Sequence, residues 1–259
     1  MREEREPTVD RGMIMDALVR ALEPLPFVHA FYEGGAIAHG RLDEWSDIDG
    51  YAVVEDDKLD ATMDVIRSAL RTVSPLEQEY VPDPHWPGLA QSFFRLERAS
   101  EFLAVDMAVI KVSSDTYFLE PEVHGQSVFH FNKGGRVKAK PFDAASHAKA
   151  MEARRQRIVD RFRIFNCFVQ KEVNRGHWIE AVDLYQRVTL GSLLEILRMR
   201  HAPVHYDFGT RYVHDELPDE VARKFVRLSF VGSPEELRSK YRQATEWFER
   251  ESGLKKVTE

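Results

Sequence analysis

The chain changes texture near its middle. In the first half, short apolar runs alternate with polar breaks. In the second, apolar residues recur every three to four positions over long stretches. Residues 9–22 read as a helix, with Ile14, Leu18 and Leu22 on one face and Pro24 and Pro26 stopping it. Phe27 to Glu33 reads as a strand that runs into Gly34-Gly35, with a short helix starting at Gly35. Ile48 to Val54 is a second strand, and 57–71 an amphipathic helix carrying Leu59, Met63, Ile66 and Leu70. Glu77 to Val81 is a short strand. Ser92 to Glu97 and Glu101 to Val112 are two strands of an antiparallel hairpin joined by Arg98-Ala99-Ser100, and Ser127 to Phe131 is a further short strand. The stretch Pro82 to Gly88 is a loop, by its prolines and glycine. Residues 1–7 are polar and read as frayed.

From Asp143 onward the pattern is helical. The spacing predicts one helix from Ala144 to Val173, with Ile158, Phe162, Phe165 and Val169 inward, and Asn174-Arg175-Gly176 ending it. A second runs from His177 to Met199 with Trp178, Val182, Tyr185, Leu193 and Leu197 inward. A third follows Leu217-Pro218 with Val221, Phe225 and Leu228. Ser233-Pro234-Glu235-Glu236 opens the last, with Leu237, Tyr241, Ala244 and Phe248 as its stripe. The expected class is α+β: a small mixed β-sheet domain over 1–141, then an α-helical domain over 142–259.

The candidate chemistry lies between the first two strands, from Gly34 to Asp49. Residues i and i+2 of a strand point to one face, so Asp47 and Asp49 aim at one place. Paired carboxylates repel unless a cation sits between them, and magnesium takes carboxylate oxygens together with substrate phosphate. The small residues Gly34, Gly35 and Ala36 let backbone N–H groups approach a phosphate. Ser46 positions the turn or accepts a phosphate contact. Asp106 lies within an apolar run from Phe102 to Ile110, covered on both faces by its pattern, where a charge is costly unless paired or metal-bound.

Gly34-Gly35 followed by Ser46-Asp47-Ile48-Asp49 resembles the signature of the DNA polymerase β-like nucleotidyltransferase superfamily. With Gly40 in the loop, it is most similar to the small-molecule branch that holds the aminoglycoside and lincosamide adenylyltransferases. Gly35 departs from a serine frequent in that branch. The resemblance implies a third carboxylate from a neighbouring strand, which Asp106 would supply. In that branch the residue is often a glutamate acting as general base, with Glu77 and Glu79 as fallbacks here. It implies Asp47, Asp49 and Asp106 as catalytic and metal-binding, one or two magnesium ions, and Gly34, Gly35, Ala36 and Ser46 as nucleotide-binding. The implied reaction moves a nucleoside monophosphate, AMP from ATP or its equivalent from another nucleotide, to a hydroxyl of a small molecule such as an aminoglycoside or lincosamide. The helical half would supply the acceptor pocket. Alternatives are a protein or tRNA acceptor, as in toxin–antitoxin relatives, or a degenerate non-catalytic nucleotide-binding module.

Composition narrows the field. A formal charge of −7 argues against a dedicated polynucleotide binder. The single Cys167, expected buried in a helix, rules out a disulfide framework. No apolar run nears the ~18 residues of a membrane span, and the first residues lack a signal peptide's apolar core, so a cytoplasmic protein is expected. Weaker candidates are Arg41 and Lys133 against triphosphate; the cluster Arg154, Arg155, Arg157, Arg161 and Arg163; the helix face Asp183, Gln186 and Arg187; and His201, His205 and His214 for zinc.

Overall fold

The structure, a computed structural model, describes residues 8–83 and 88–253. The frayed reading of residues 1–7 and the centre of the loop at 84–87 lie outside the described residues. The chain divides into two compact units, 1–142 and 143–259.

The first unit runs α1 (Arg11–Leu22), β1 (Val28–Glu33), α2 (Gly35–Ala38), β2 (Ile48–Val54), α3 (Leu59–Val73), β3 (Leu76–Tyr80), β4 (Leu89–Leu96), β5 (Val105–Lys111), α4 (Pro121–His124) and β6 (Val128–Asn132). Its six strands form one mixed sheet in the order β3-β4-β5-β2-β1-β6. Among the described strand pairs, β2 with β5 at the centre is parallel and the others antiparallel. A parallel neighbour cannot be joined by a tight turn, and here α3, β3 and β4 make the crossing.

The sheet's two faces are covered differently. On one, Phe31, Ile48, Ala52, Val54, Phe94, Val105, Met107 and Val109 pack with the apolar sides of α1 and α3, including Ile14, Leu18, Leu22, Met63, Ile66 and Leu70. Burying each of these larger side chains contributes roughly 1.5–3 kcal/mol. Asp10 caps α1 by accepting from the Met13 amide at 2.9 Å. On the other face, Ala30, Tyr32, Val53 and Ile110 meet Leu119 and Val137. Asp49 and Asp106 belong to this second face, since each lies four residues, an even number, before Val53 and Ile110 respectively. They sit at the strand ends, ahead of its covered part.

The run from Phe102 to Ile110 is therefore not the fully covered strand its composition predicts. The strand begins at Val105. Phe102 and Leu103 lie in a turn where the Leu103 amide donates to the Ser100 carbonyl at 3.1 Å. Phe102 is half exposed, edge-on to the exposed Trp45 at 4.8 Å between ring centroids. Asp106, the second residue of β5, is half-buried rather than sealed in the interior.

The second unit contains, among its described residues, helices and no strand. These are α5 (Ala144–Phe165), α6 (Cys167–Arg175), α7 (Trp178–Leu184), α8 (Gly191–His201), α9 (Val213–Glu216), α10 (Asp219–Ser229) and α11 (Pro234–Ser252), with a π-helical segment, Tyr185–Leu190, joining α7 to α8. The predicted 144–173 helix is two helices meeting at Asn166. Its buried amide donates to the Tyr241 and Thr245 hydroxyls at 3.2 and 3.0 Å and accepts from Thr189 at 2.7 Å. Phe162 stacks on Phe248 at 3.7 Å in the core. Asp143 and Ser233 cap α5 and α11, each accepting from the third residue on. Arg198 is fully buried. It donates to the carbonyls of Gly209, His205 and Arg211 and pairs with Glu216 at 2.8 Å, tying down the loop after α8.

Candidate active site

The parallel register of β2 and β5 sets Asp49 directly opposite Asp106. Neighbouring strands lie about 4.8 Å apart, so two carboxylates of one face are held side by side. Asp47, exposed, immediately precedes β2, whose first residue, Ile48, donates its amide to the Ala104 carbonyl at 2.9 Å. Asp49 feels both neighbouring carboxylates, and Asp106 feels Asp47. Burial, then the charges of Asp47 and Asp106, push the Asp49 carboxyl up to about 7. Burial raises Asp106 to about 6, against a hydrogen bond from Gln91 that works the other way, with the charge of Asp47 adding to the rise. Like charges at short range disfavour ionisation until a cation arrives.

The glycine turn is built against these groups. Gly35 has φ +61, a left-handed conformation that side chains rarely adopt, and a Cβ there would sit 1.7 Å from Asp49 Oδ2. A Cβ on Gly34 would meet the Tyr51 ring at 2.9 Å. The Gly34 amide donates to the Asp49 carbonyl at 2.9 Å, fixing the turn to the start of β2. Ala36 lies in the short α2. Ser46 organises the loop: its hydroxyl donates to Asp43 at 2.7 Å and accepts from the Asp43 amide at 3.0 Å, while Asp43 also accepts from the Trp45 amide at 3.1 Å.

Four neighbours escaped the sequence reading. Gln91, on β4, donates its side-chain amide to both oxygens of Asp106, at 2.8 and 3.0 Å. Glu33, 2 % exposed at the end of β1, is held by Arg11 and by His130 Nε2 at 2.8 Å. Burial works to raise the Glu33 carboxyl, but the hydrogen bond from His130 and the charge of Arg11 prevail and hold it below its usual range. Arg11 also donates to the Asp47 carbonyl at 2.6 Å. The signal for Glu33 was present: it is a charge that ends the largely apolar run from Phe27 to Tyr32.

The fallback bases are elsewhere. Glu79 is engaged by Arg67 at 2.8 and 3.0 Å and Glu77 faces Arg95 at 3.6 Å, both on the edge strand β3, with β4 between them and β5. Lys133 donates to the Leu25 carbonyl at 2.6 Å. In the second unit, Arg154 makes a two-pronged bond to Glu195 at 2.7 Å, Arg155 pairs with Glu152, and Arg163 with Asp160, while Arg157 and Arg161 are exposed. Asp183 pairs with Arg187, and Gln186 donates to the Ser229 carbonyl. His205 meets Glu216 at 2.9 Å. Cys167, expected to be buried, is exposed as the first residue of α6 after the break at Asn166.

Among the described residues, no group of three or more His, Cys, Asp or Glu side chains is placed to hold a metal ion, neither the histidines expected for zinc nor Asp47, Asp49 and Asp106 as a three-ligand set. The aspartates fit a different kind of binding. Magnesium is usually held by one or two carboxylates, with phosphate oxygens and water completing its shell. Burial and the charges of Asp47 and Asp106 drive the Asp49 carboxyl up to about 7 although the Arg11 charge pulls the other way, so its ionised form is under-compensated. Among the described residues no helix is long and apolar enough to cross a membrane.

No protein-family model and no curated protein sequence matches the chain. Among solved structures it is similar to an aminoglycoside 6-adenyltransferase from Bacillus subtilis, at 12% identity over 95% of this chain and 90% of that one, with a TM-score of 0.35. It is also similar to a spectinomycin adenyltransferase from Enterococcus faecialis, crystallised with ATP and spectinomycin, at 12% identity over 94% of this chain and 98% of that one, with a TM-score of 0.36.

Proposed function

We propose that the protein is a magnesium-dependent nucleotidyltransferase that moves a nucleoside monophosphate, AMP from ATP in the first instance, to a hydroxyl of a small molecule. The observation that carries this reading is the facing of Asp49 and Asp106 across neighbouring parallel strands, with Asp47 beside them and a glycine turn pressed against Asp49. A strand pair of this kind has no packing reason to hold carboxylates together. It has a chemical one if a cation and a phosphate join them.

Asp47 and Asp49, with Asp106 beside them, would hold the metal. When bound, magnesium neutralises phosphate charge and so lowers the cost of attack at phosphorus. The chain's own residues do the rest. The backbone at Gly34 and Gly35 can approach the phosphates closely because no side chain intervenes. Asp106 takes the proton of the acceptor hydroxyl as its oxygen bonds to the α-phosphorus and the bond to pyrophosphate breaks. With its carboxyl at about 6, Asp106 is mostly ionised at neutral pH and still basic enough to accept that proton. Gln91, bonded to both oxygens of Asp106, fixes the plane of the base. The products are a nucleotidylated acceptor and pyrophosphate. Aminoglycosides and lincosamides, rich in hydroxyls, are the first acceptors to try.

The test has two arms. Binding of ATP and GTP is measured by calorimetry with magnesium and with chelator, in wild type and in Asp49→Asn. Transfer of label from α-labelled ATP and GTP is then screened against an aminoglycoside and lincosamide panel. Magnesium-dependent nucleotide binding that Asp49→Asn abolishes supports the reading. Absence of any magnesium-dependent nucleotide binding by wild type rejects it. Binding without transfer to the panel turns the search to protein and tRNA acceptors.

A further inference from the structure

Arg11 lies in the first turn of α1, and Asp47 is 36 residues further on in the chain. The Arg11 guanidinium nonetheless joins the loop ahead of β2 to the end of β1. One terminal nitrogen donates to the Asp47 carbonyl at 2.6 Å; the other donates to Glu33. Glu33 is the last residue of β1 and Gly34 follows it. The segment from Gly34 to Asp47 holds the glycine turn and the loop, so the guanidinium grips both of its ends.

The grip is itself anchored. The second oxygen of Glu33 is held by His130 from β6 at 2.8 Å, and the His130 ring stacks on Phe31 at 5.4 Å. The start of α1 is tied to the far loop, where the amides of Thr8 and Val9 donate to the Arg98 carbonyl at 2.9 and 3.1 Å. A planar fork with two donors on separate nitrogens can span two acceptors in fixed geometry, which a lysine ammonium cannot. Ordinary stabilisation of the unit does not call for this arrangement. The sheet and its helices have their own apolar core, and Arg11 spends a donor on a peptide carbonyl just outside the strand.

We propose that Arg11, oriented by Glu33 and His130, is a positioning residue for Asp47: it fixes the peptide that carries this carboxylate and holds the glycine turn and the carboxylate loop in one relative placement. This rests on the function proposed above for its consequence, and on the hydrogen bonds alone for its geometry. A buried carboxylate is tolerated here because it is paired and hydrogen-bonded. The pair is retained as a two-sided clamp.

The test separates the two levels. Hydrogen–deuterium exchange on the free protein compares wild type with Arg11→Met. Amides of residues 42–47 are expected to exchange about tenfold faster in the variant, with those of β1 and β5 unchanged. Exchange in 42–47 equal to wild type overturns the clamp, whether or not the protein is an enzyme. The second arm is a double-mutant cycle on the affinity for magnesium with a non-hydrolysable ATP analogue. Asp47→Asn should weaken binding at least tenfold in wild type and less than about threefold in Arg11→Met, because the Asp47 carboxylate then lacks the placement Arg11 gives its peptide. Arg11→Lys keeps the charge that Arg11 also sets near Asp49 and separates the two effects. Asp106→Asn should cost the same factor in both backgrounds. Equal Asp47→Asn factors in both backgrounds overturn the positioning role. Should Arg11→Met fail to fold, Arg11→Lys takes its place, with the charge kept, the fork lost and the same pattern expected at smaller size. No analogue binding by wild type overturns the proposed function, and the exchange arm then still decides whether Arg11 holds the loop.

Discussion

The room that a side chain at Gly35 would need is taken by the carboxylate of Asp49: a Cβ there would lie 1.7 Å from Oδ2. The serine frequent at this position in the adenylyltransferases that the motif resembles cannot be accommodated without moving Asp49. Gly35→Ala and Gly35→Ser are therefore expected to act twice. The left-handed backbone, φ +61, costs a side-chain-bearing residue about 1–2 kcal/mol of stability. Displacement of Asp49 costs affinity for magnesium with nucleotide. Urea midpoints and calorimetry read the two effects separately. A Gly35→Ser protein that binds magnesium and nucleotide as tightly as wild type would show that Asp49 does not need its present position.

The raised carboxyl of Asp49 makes a claim about stability. A free aspartate titrates near 3.9, whereas folding moves this one to about 7 through burial and the charges of Asp47 and Asp106. Between those two values the folded protein binds more protons than the unfolded one, so this group's contribution to stability falls as pH rises. It is fully present below about 4 and lost above about 7. Asp49→Asn removes the dependence. In chelator, the variant's urea midpoint should be close to that of wild type at pH 4 and exceed it at pH 8, with the gap opening across that window. Glu33, held low by His130 and Arg11, contributes with the opposite slope, and because its charge also reaches Asp49 the two proteins are compared across the whole window rather than at one pH. A gap that does not change with pH would mean that Asp49 titrates normally.

What the sequence revealed and what it hid divide along physical lines. Periodicity is local, so the strands, the amphipathic α3 and the Ser233 cap were legible. Asp47 and Asp49 are neighbours in sequence, so their charge interaction was legible, though Asp47 is exposed and lies just outside β2 rather than on its face. The Asp106 position followed from one charge in an apolar run, but the cover on both faces assumed for that run begins only at Met107, past Asp106. The residue lies near a strand end, on a face whose covered part begins at Tyr51 and Val53. Gln91 and Arg11 were hidden because their roles arise only from tertiary pairing. Gln91 reaches Asp106 across a strand pair, and Arg11 reaches Asp47 from a helix whose pattern announces only its apolar side. The break at Asn166 was hidden because the residue keeps helical angles, and its side-chain partners come from other helices.

Gln91 offers the sharpest test of what Asp106 does. Its amide donates to both oxygens of the carboxylate and so favours the ionised form, opposing the burial that raises the group to about 6. Gln91→Leu keeps the bulk and removes the donors. The Asp106 carboxyl should then titrate higher than in wild type, which carbon-13 NMR of the free protein reads directly. If Asp106 is the general base, the acid limb of the rate profile in kcat/KM should move up with it, because that limb reports the free enzyme's essential base. The loss at pH 6 should then exceed the loss at pH 8. Losing the bonds that orient the carboxylate adds a pH-independent cost of about 10–100-fold, the range seen when partners of a metal-site ligand are removed. If Asp106 only ligates metal, saturating magnesium should compete with the proton and erase the limb in both proteins, leaving Gln91→Leu with the flat cost alone. A limb that persists at saturating magnesium and moves with the NMR titration assigns the base. One that vanishes assigns the ligand.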